Sequence, residues 1–150
     1  MKGLTFKKGI HPNYHKEETA GKAIEVLMPN GELVFPMSQH IGAPCTPLVK
    51  KGDKVYVGQK IGEANGFVSA PIHSSVSGTV KMVEPRMTVR GTKEMSVIIE
   101  SDGQFEEDPE LTKTPLNLEN LTKENLIERV KASGIVGMGG ATFPTHVKLS

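Results

Sequence analysis

Between Gly3 and about Glu100 the apolar residues come in short runs, separated by glycine, proline and charged positions. Residues 24–27, 33–35, 54–57, 79–83 and 96–100 form five such runs. They are brief, partly β-branched and bounded by turn residues, which predicts strands. Asn30-Gly31, Gly52-Asp53, Asn65-Gly66 and Asp102-Gly103 mark turns between them, because glycine and asparagine reach positive φ at low cost. This spacing predicts a compact, mainly β unit, a barrel or a sandwich.

The β region contains an internal echo. Ala43-Pro44 followed by Val49 recurs 27 residues later as Ala70-Pro71 followed by Val76, and Gly52 and Gly78 close the two copies. These residue types are common enough for chance to produce it. Two quasi-equivalent β units related by a pseudo-two-fold, each starting after an Ala-Pro corner, also produce it, and the Gly-Asp and Gly-Gln punctuation between the copies favours that reading.

From Gln104 to about Glu119 the pattern changes. Glu106, Glu107, Asp108 and Glu110 cluster near Pro109 and Pro115, which predicts a solvated, extended acidic linker. A helix is expected from about 121 to 134. Thr122 is its N-cap, Leu126, Ile127 and Val130 form its apolar stripe, and Gly134 stands where a C′ glycine belongs. The chain therefore divides into a β domain over 1–103, a linker over 104–120 and the start of a further domain over 121–150.

Composition narrows the function classes. The 150 residues carry 18 Lys and Arg against 17 Asp and Glu, without the basic excess of a nucleic-acid binder. With 16 Gly and 10 Pro, turns and short strands outweigh long helices. Cys45 is the single cysteine, so no internal disulfide framework is expected, which suits a reducing compartment. Met1 to Gly9 lacks the apolar stretch of a secretory signal. No run approaches the roughly 18 apolar residues that span a bilayer. The expectation is a soluble, cytoplasmic protein whose membrane association comes through partners.

The candidate chemistry sits at the far end, from Gly134 to Lys148. Four glycines within seven residues, Gly134, Gly137, Gly139 and Gly140, remove the Cβ atoms that keep a phosphate away from backbone amides. Pro144 suits the first turn of a following helix, and Lys148 adds positive charge. A flexible Gly-rich loop fits the same spacing, and a lone Gly pattern does not choose between the two.

Residues 137–145, GMGGATFPT, resemble the flavin loop of the NADH-oxidising subunit of respiratory complex I, and more closely that of the RnfC family. Gly9-Ile10-His11-Pro12, Gln39-His40-Ile41-Gly42-Ala43-Pro44, Val68-Ser69-Ala70-Pro71-Ile72-His73, Ser77-Gly78-Thr79-Val80 and Ile98-Ile99-Glu100-Ser101-Asp102-Gly103 resemble RnfC in the same order. The resemblance covers essentially the whole chain. It implies a barrel-sandwich hybrid related to biotinyl and lipoyl carrier domains, then the truncated start of an α/β FMN- and NADH-binding domain like that of complex I. A segment with two 4Fe–4S clusters would follow in the parent protein. FMN would exchange hydride with NAD(H) and pass single electrons to the clusters, within a membrane-associated ferredoxin–NAD oxidoreductase.

By match, Gly137, Gly139, Gly140, Phe143 and Lys148 are the cofactor-binding residues the resemblance implies. Met138 stands where the complex I loop has arginine, and Thr142 replaces the usual glycine. Carrier domains present a lysine at a hairpin tip, but residues 62–68 contain none, so neither biotin nor lipoate is expected.

Other candidates read as structural. Cys45 alone cannot ligate a cluster and is expected to be a small buried hydrophobe. His11 and His15 are separated by Pro12 and Asn13, which argues against a metal-binding helix face. His40 and His73 are expected to satisfy backbone groups in turns. His146 is expected either near phosphate or facing solvent. Ser74, Ser75 and Ser77 near His73 are read as polar residues on an exposed strand face, not a triad.

The β domain is expected to dock or to support structure, and the 150 residues alone to hold no cofactor and have no activity. Expected partners are the other subunits of an Rnf complex and, in the parent, NADH, with peripheral placement on the inner face of the cell membrane. Two alternatives are a non-catalytic carrier-like binding module and an RnfC-like electron-transfer protein serving another reductase.

Overall fold

The computed structural model describes residue 9 and residues 12–111 and 121–150. The expectations placed on Met1 to Lys8, on Ile10 and His11, and on the second half of the linker lie outside the described residues.

The architecture is mainly β, as the periodicity predicts. Seven strands are present: β1 (Glu32–Pro36), β2 (Thr46–Pro47), β3 (Lys54–Val55), β4 (Lys60–Glu63), β5 (Ile72–His73), β6 (Gly78–Met87) and β7 (Lys93–Ser101). Two helices follow, α1 (Lys123–Ala132) and α2 (Thr145–Leu149). One antiparallel sheet has the order β1-β7-β6-β3, and a second has the order β2-β4-β5. Between them lies one core, containing Phe35, Met37, Cys45, Val55, Ile61, Ile72, Val76, Val80, Val97 and Ile99. Two small sheets closing on one core is the arrangement of a barrel-sandwich hybrid. Ile61 and Val97 are fully buried, and truncating such a side chain to alanine costs about 2–5 kcal/mol.

Four of the five strand expectations hold. β6 and β7 run past the expected segments into one long hairpin, paired from Gly78 with Ser101 to Met87 with Lys93. Pro85 hid this length, yet it is tolerated because β3 pairs only with Thr79 and Gly78 and β6 is an edge strand beyond them. Strands β2, β4 and β5 are too short to leave a periodic signal.

Residues 24–27 are a correction. They form no strand, and Ile24 is 97% and Leu27 91% exposed. A short β-branched run favours extended backbone, but a strand also needs a ladder partner, and no described strand pairs with 24–27.

Each Ala-Pro corner leads into a two-residue strand, β2 after Ala43-Pro44 and β5 after Ala70-Pro71, and both border β4. His40 ties the two corners together. The Ala70 amide donates to Nε2 at 3.1 Å, which leaves the ring proton on Nδ1, facing the Ile41 carbonyl at 3.1 Å. The Cys45 thiol donates to the Ala70 carbonyl at 3.0 Å, and the Ser69 hydroxyl to that of Ala43 at 2.9 Å. Both His40 and Cys45 thus have the structural roles expected of them.

Ser74 and Ser77 are a second correction. Both are buried: the Ser74 hydroxyl donates to the Val76 carbonyl and Ser77 to Asp102 Oδ1 at 2.6 Å. Ser74 pairs with its own turn, whereas Ser77 is paired by distant residues, Asp102 and the Glu106 amide, which donates to its hydroxyl at 3.0 Å, so polarity marked no exposed face at either.

The β unit also extends beyond residue 103. Phe105 packs on the core, and Val57 exchanges backbone bonds with Glu106 and Asp108, both at 2.9 Å. Lys54 meets Glu106 at 3.0 Å. The first acidic residues of the expected linker therefore lie along β3.

Candidate cofactor-binding loop

The loop is launched from α1. Thr122 caps the helix, its hydroxyl oxygen accepting from the Asn125 amide at 3.2 Å. At the other end Gly134 has φ 66°, and its amide donates to the Lys131 carbonyl at 2.9 Å while that of Ile135 reaches Val130 at 3.4 Å. This paired closure is a Schellman motif, so both caps fall where the sequence places them. Gly134 is also needed for packing: a Cβ there would lie 2.4 Å from the Pro71 carbonyl oxygen.

Beyond it the chain makes a narrow hairpin. Val136 bridges Pro144, and the Gly137 amide donates to the Phe143 carbonyl at 2.9 Å. Within the turn the Thr142 amide donates to the Gly139 carbonyl at 3.1 Å. Among the described residues, the amides of Met138, Gly139, Gly140 and Ala141 have no acceptor. A Cβ built at Gly139 or Gly140 meets nothing within 4 Å, and one at Gly137 makes only ordinary contact, at 3.6 Å. The loop therefore presents open glycine backbone with free donors.

Four of the five expected residues lie on this hairpin, and the fifth, Lys148, on the helix that follows it. Gly139 and Gly140 form its tip, Gly137 and Phe143 pair across its base, and Lys148 on α2 holds its ammonium 5.5 Å from the Phe143 ring centroid. Met138 is fully exposed. Thr142 has φ 44°, an uncommon conformation for a β-branched residue.

A cleft of about 550 Å³ separates the loop from the β6–β7 tip. Gly140 and Thr142 line one side, Val89 and Arg90 the other, and Pro36 and Gln39 also border it. Sequence reasoning did not find Arg90, because the hairpin tip meets the loop only through the fold.

His146 is a third correction. Of its two expected positions, the solvent-facing one does not hold. It is buried, with Nε2 at 3.1 Å from the Phe67 carbonyl and its ring edge-on to Phe67 at 6.3 Å. Its Nδ1 is buried with no hydrogen-bond partner among the described residues. No local signal marks a contact spanning 79 residues.

Away from the loop, burial is the leading cause of shift at two groups. Burial, with the charge of Glu63 adding, pushes the Cys45 thiol up, against a hydrogen bond with Ser69. The thiol stays protonated and is a poor nucleophile. Burial and then Lys60 push His73 down, opposed by the Ala132 carbonyl at the end of α1.

The profile described as the RnfC barrel sandwich hybrid domain matches residues 4–104. The chain belongs to the RnfC family. A relative from Acetobacterium woodii, named as a component of a Na⁺-translocating ferredoxin:NAD⁺ oxidoreductase complex, is 53% identical over 150 residues, all of this chain and 34% of its own length. Its counterpart from a proton-translocating ferredoxin:NAD⁺ oxidoreductase complex of Clostridium ljungdahlii is 41% identical over 146 residues, 97% of this chain and 32% of its own. The counterpart from an ion-translocating oxidoreductase complex of Rhodobacter capsulatus is 39% identical over 154 residues, all of this chain and 29% of its own length. The chain thus spans about a third of each of these RnfC relatives. Their names differ in the translocated ion, so the resemblance does not choose one. Among the described residues no helix is long and apolar enough to cross a membrane.

Proposed function

We propose that this chain is the barrel and flavin-loop portion of a subunit that moves electrons between NAD(H), FMN and 4Fe–4S clusters in a membrane-associated ferredoxin–NAD oxidoreductase. The observation that carries this reading is the loop tip, where Gly139 and Gly140 have open space over them and four successive amides lack acceptors. Unsatisfied donors are costly unless water or a ligand pairs them, and amides without Cβ cover suit a close-lying phosphate or flavin edge. FMN would supply the step from two-electron hydride chemistry to single electrons.

In this reading Gly137, Gly139 and Gly140 let the cofactor approach the backbone. Lys148 holds a positive charge beside it, and Phe143 gives an apolar face. The lone thiol of Cys45 is buried and bonded within the barrel, so cluster ligands belong to other parts of the protein. Partner subunits would hold the assembly on the inner face of the membrane. The turn at 63–67, where carrier domains present their lysine, packs against His146 through Phe67, and no biotin or lipoate is proposed for it. One loop and an open cleft bury little of a ligand that a site usually encloses, so these 150 residues alone are proposed to be inactive.

The test is the absorption spectrum of a chain extended to the length of its relatives, purified without oxygen, before and after NADH. Flavin and iron–sulfur bands that bleach with NADH are expected. A colourless protein that takes up neither FMN nor iron would replace this reading with the carrier-like binding module.

A further inference from the structure

The glycine-rich loop is fastened to the barrel at three points. At its start Gly134 lies against the Pro71 carbonyl. In its second half Ala141 accepts a hydrogen bond from the Ile41 amide at 3.2 Å. Beyond its end His146 meets the Phe67 carbonyl at 3.1 Å. Ile41 and Pro71 belong to the two corners that His40 joins, and Phe67 to the turn between β4 and β5. The tip between these anchors, with its free amides, has no such bond.

Of the three, the His146 contact has the weakest support from its own element. Helix α2 has five residues, about one turn, and a single turn does not hold itself in water. It is held from outside: by the Thr145 amide on the Ile135 carbonyl at 3.0 Å, by buried Pro144 bridged to Val136, and by His146, 2% exposed, whose bond crosses to the barrel. An aliphatic side chain would fill the same space without leaving Nδ1 buried and unpaired. The imidazole therefore stands there for the direction of its Nε2–H bond.

We infer that His146 is the positioning residue of the loop: its bond to Phe67 locks α2 onto the barrel turn and so sets the conformation in which residues 137–143 meet their ligand. This rests on the cofactor reading given under Proposed function. It gives the barrel a task distinct from carrying an acyl group or docking a partner: the turn homologous in position to the acyl-lysine hairpin grips the neighbouring element instead.

The experiment compares His146→Gln, whose side-chain amide reaches the Nε2 position, with His146→Asn, which places an amide only at Nδ1, and with His146→Leu. In this chain, amide chemical shifts of residues 138–142 and hydrogen exchange at Ile41 are measured by NMR. In a chain of the relatives' length, FMN affinity and the visible circular dichroism of bound flavin are measured. Asn and Leu are expected to shift the tip amides, speed exchange at Ile41 about fivefold and weaken FMN about tenfold, with altered flavin dichroism; Gln is expected to restore all four. Shifts confined to residues 145–150, or FMN affinity and dichroism equal in all variants, would overturn the inference while leaving the cofactor reading intact. An extended wild-type chain that takes up no FMN sinks the cofactor reading instead, and the NMR comparison then decides on its own whether His146 sets the loop.

Discussion

The barrel and the loop are both rich in glycine, but their glycines answer to different neighbours. In the barrel, a Cβ at Gly42 would sit 2.0 Å from the Val68 carbonyl oxygen, and one at Gly78 2.1 Å from that of Glu100. Those positions are glycine because the protein's own backbone occupies the space. At Gly139 and Gly140 the same construction meets nothing within 4 Å, and neither has a positive φ. Nothing in the described fold requires them to be glycine. The polar groups divide the same way: barrel corners satisfy theirs through His40, Cys45 and Ser69, while four loop amides are left open. A region whose backbone groups pair within the protein stands beside one whose donors are left to the surroundings.

Replacing glycines on the two sides would break this contrast most directly. Gly42→Ala and Gly78→Ala are each expected to cost about 3 kcal/mol or more, since backbone must move to admit the methyl group, read as the midpoint of a urea melt. Gly139→Val with Gly140→Val is expected to change that midpoint by less than about 0.5 kcal/mol. In a chain of the relatives' length the same pair should weaken FMN roughly a hundredfold, because misplacing a bound group by about an ångström carries a penalty of that order. Equal stability losses on both sides would end the distinction.

His40 sharpens the barrel half. His40→Leu removes the acceptor of the Ala70 amide and the donor to Ile41, and leaving a buried group unpaired costs about 1–3 kcal/mol. A drop of about 2 kcal/mol is expected in the same melt. A loss below about 0.5 kcal/mol would mean that the corners hold without it.

Thr142 sharpens the loop half. At φ 44° a residue bearing Cβ is strained by about 1–2 kcal/mol, and glycine returns about 0.5–1 kcal/mol of that as unfolded-chain entropy. Thr142→Gly is therefore expected to stabilise by up to about 1 kcal/mol, whereas Thr142→Ala, which keeps a Cβ, gives no gain. Differential scanning calorimetry of the two variants decides this.

What was legible in the sequence follows from range. Strand runs 33–35, 79–83 and 96–100, the positive-φ turns at Gly31, Gly52, Gly66 and Gly103, the Thr122 cap and the Gly134 closure are written in residues a few positions apart. The five expected loop and helix residues could be placed together because they fall within twelve consecutive positions, 137–148. His146 on Phe67, Arg90 across the cleft and Glu106 on Lys54 each join residues far apart in the chain, and no local pattern encodes them. Residues 24–27 show the converse failure: the short, partly β-branched run is there, but pairing is a property of the sheet. Ser74 shows that a polar side chain can be spent on its own turn, and Ser77 that it can be spent on a partner 25 residues away.

The smallest effect expected lies at the joint between the two regions. His73 ends β5 and faces the carboxyl end of α1, and burial followed by the Lys60 charge holds its pKa below the ordinary imidazole value, against a hydrogen bond with the Ala132 carbonyl. The folded state thus prefers the neutral ring. Just below the unfolded value of about 6.5 the unfolded chain binds more protons, so stability rises with pH in that window. The contribution is fully present above about pH 6.5 and is lost as pH falls through the folded pKa. Because His73 is only half-buried, the effect is expected to be a few tenths of a kcal/mol. His73→Gln should flatten the fall in melting temperature between about pH 7 and pH 5 relative to the parent chain. Parallel curves for the two would mean that the joint is indifferent to the charge on His73.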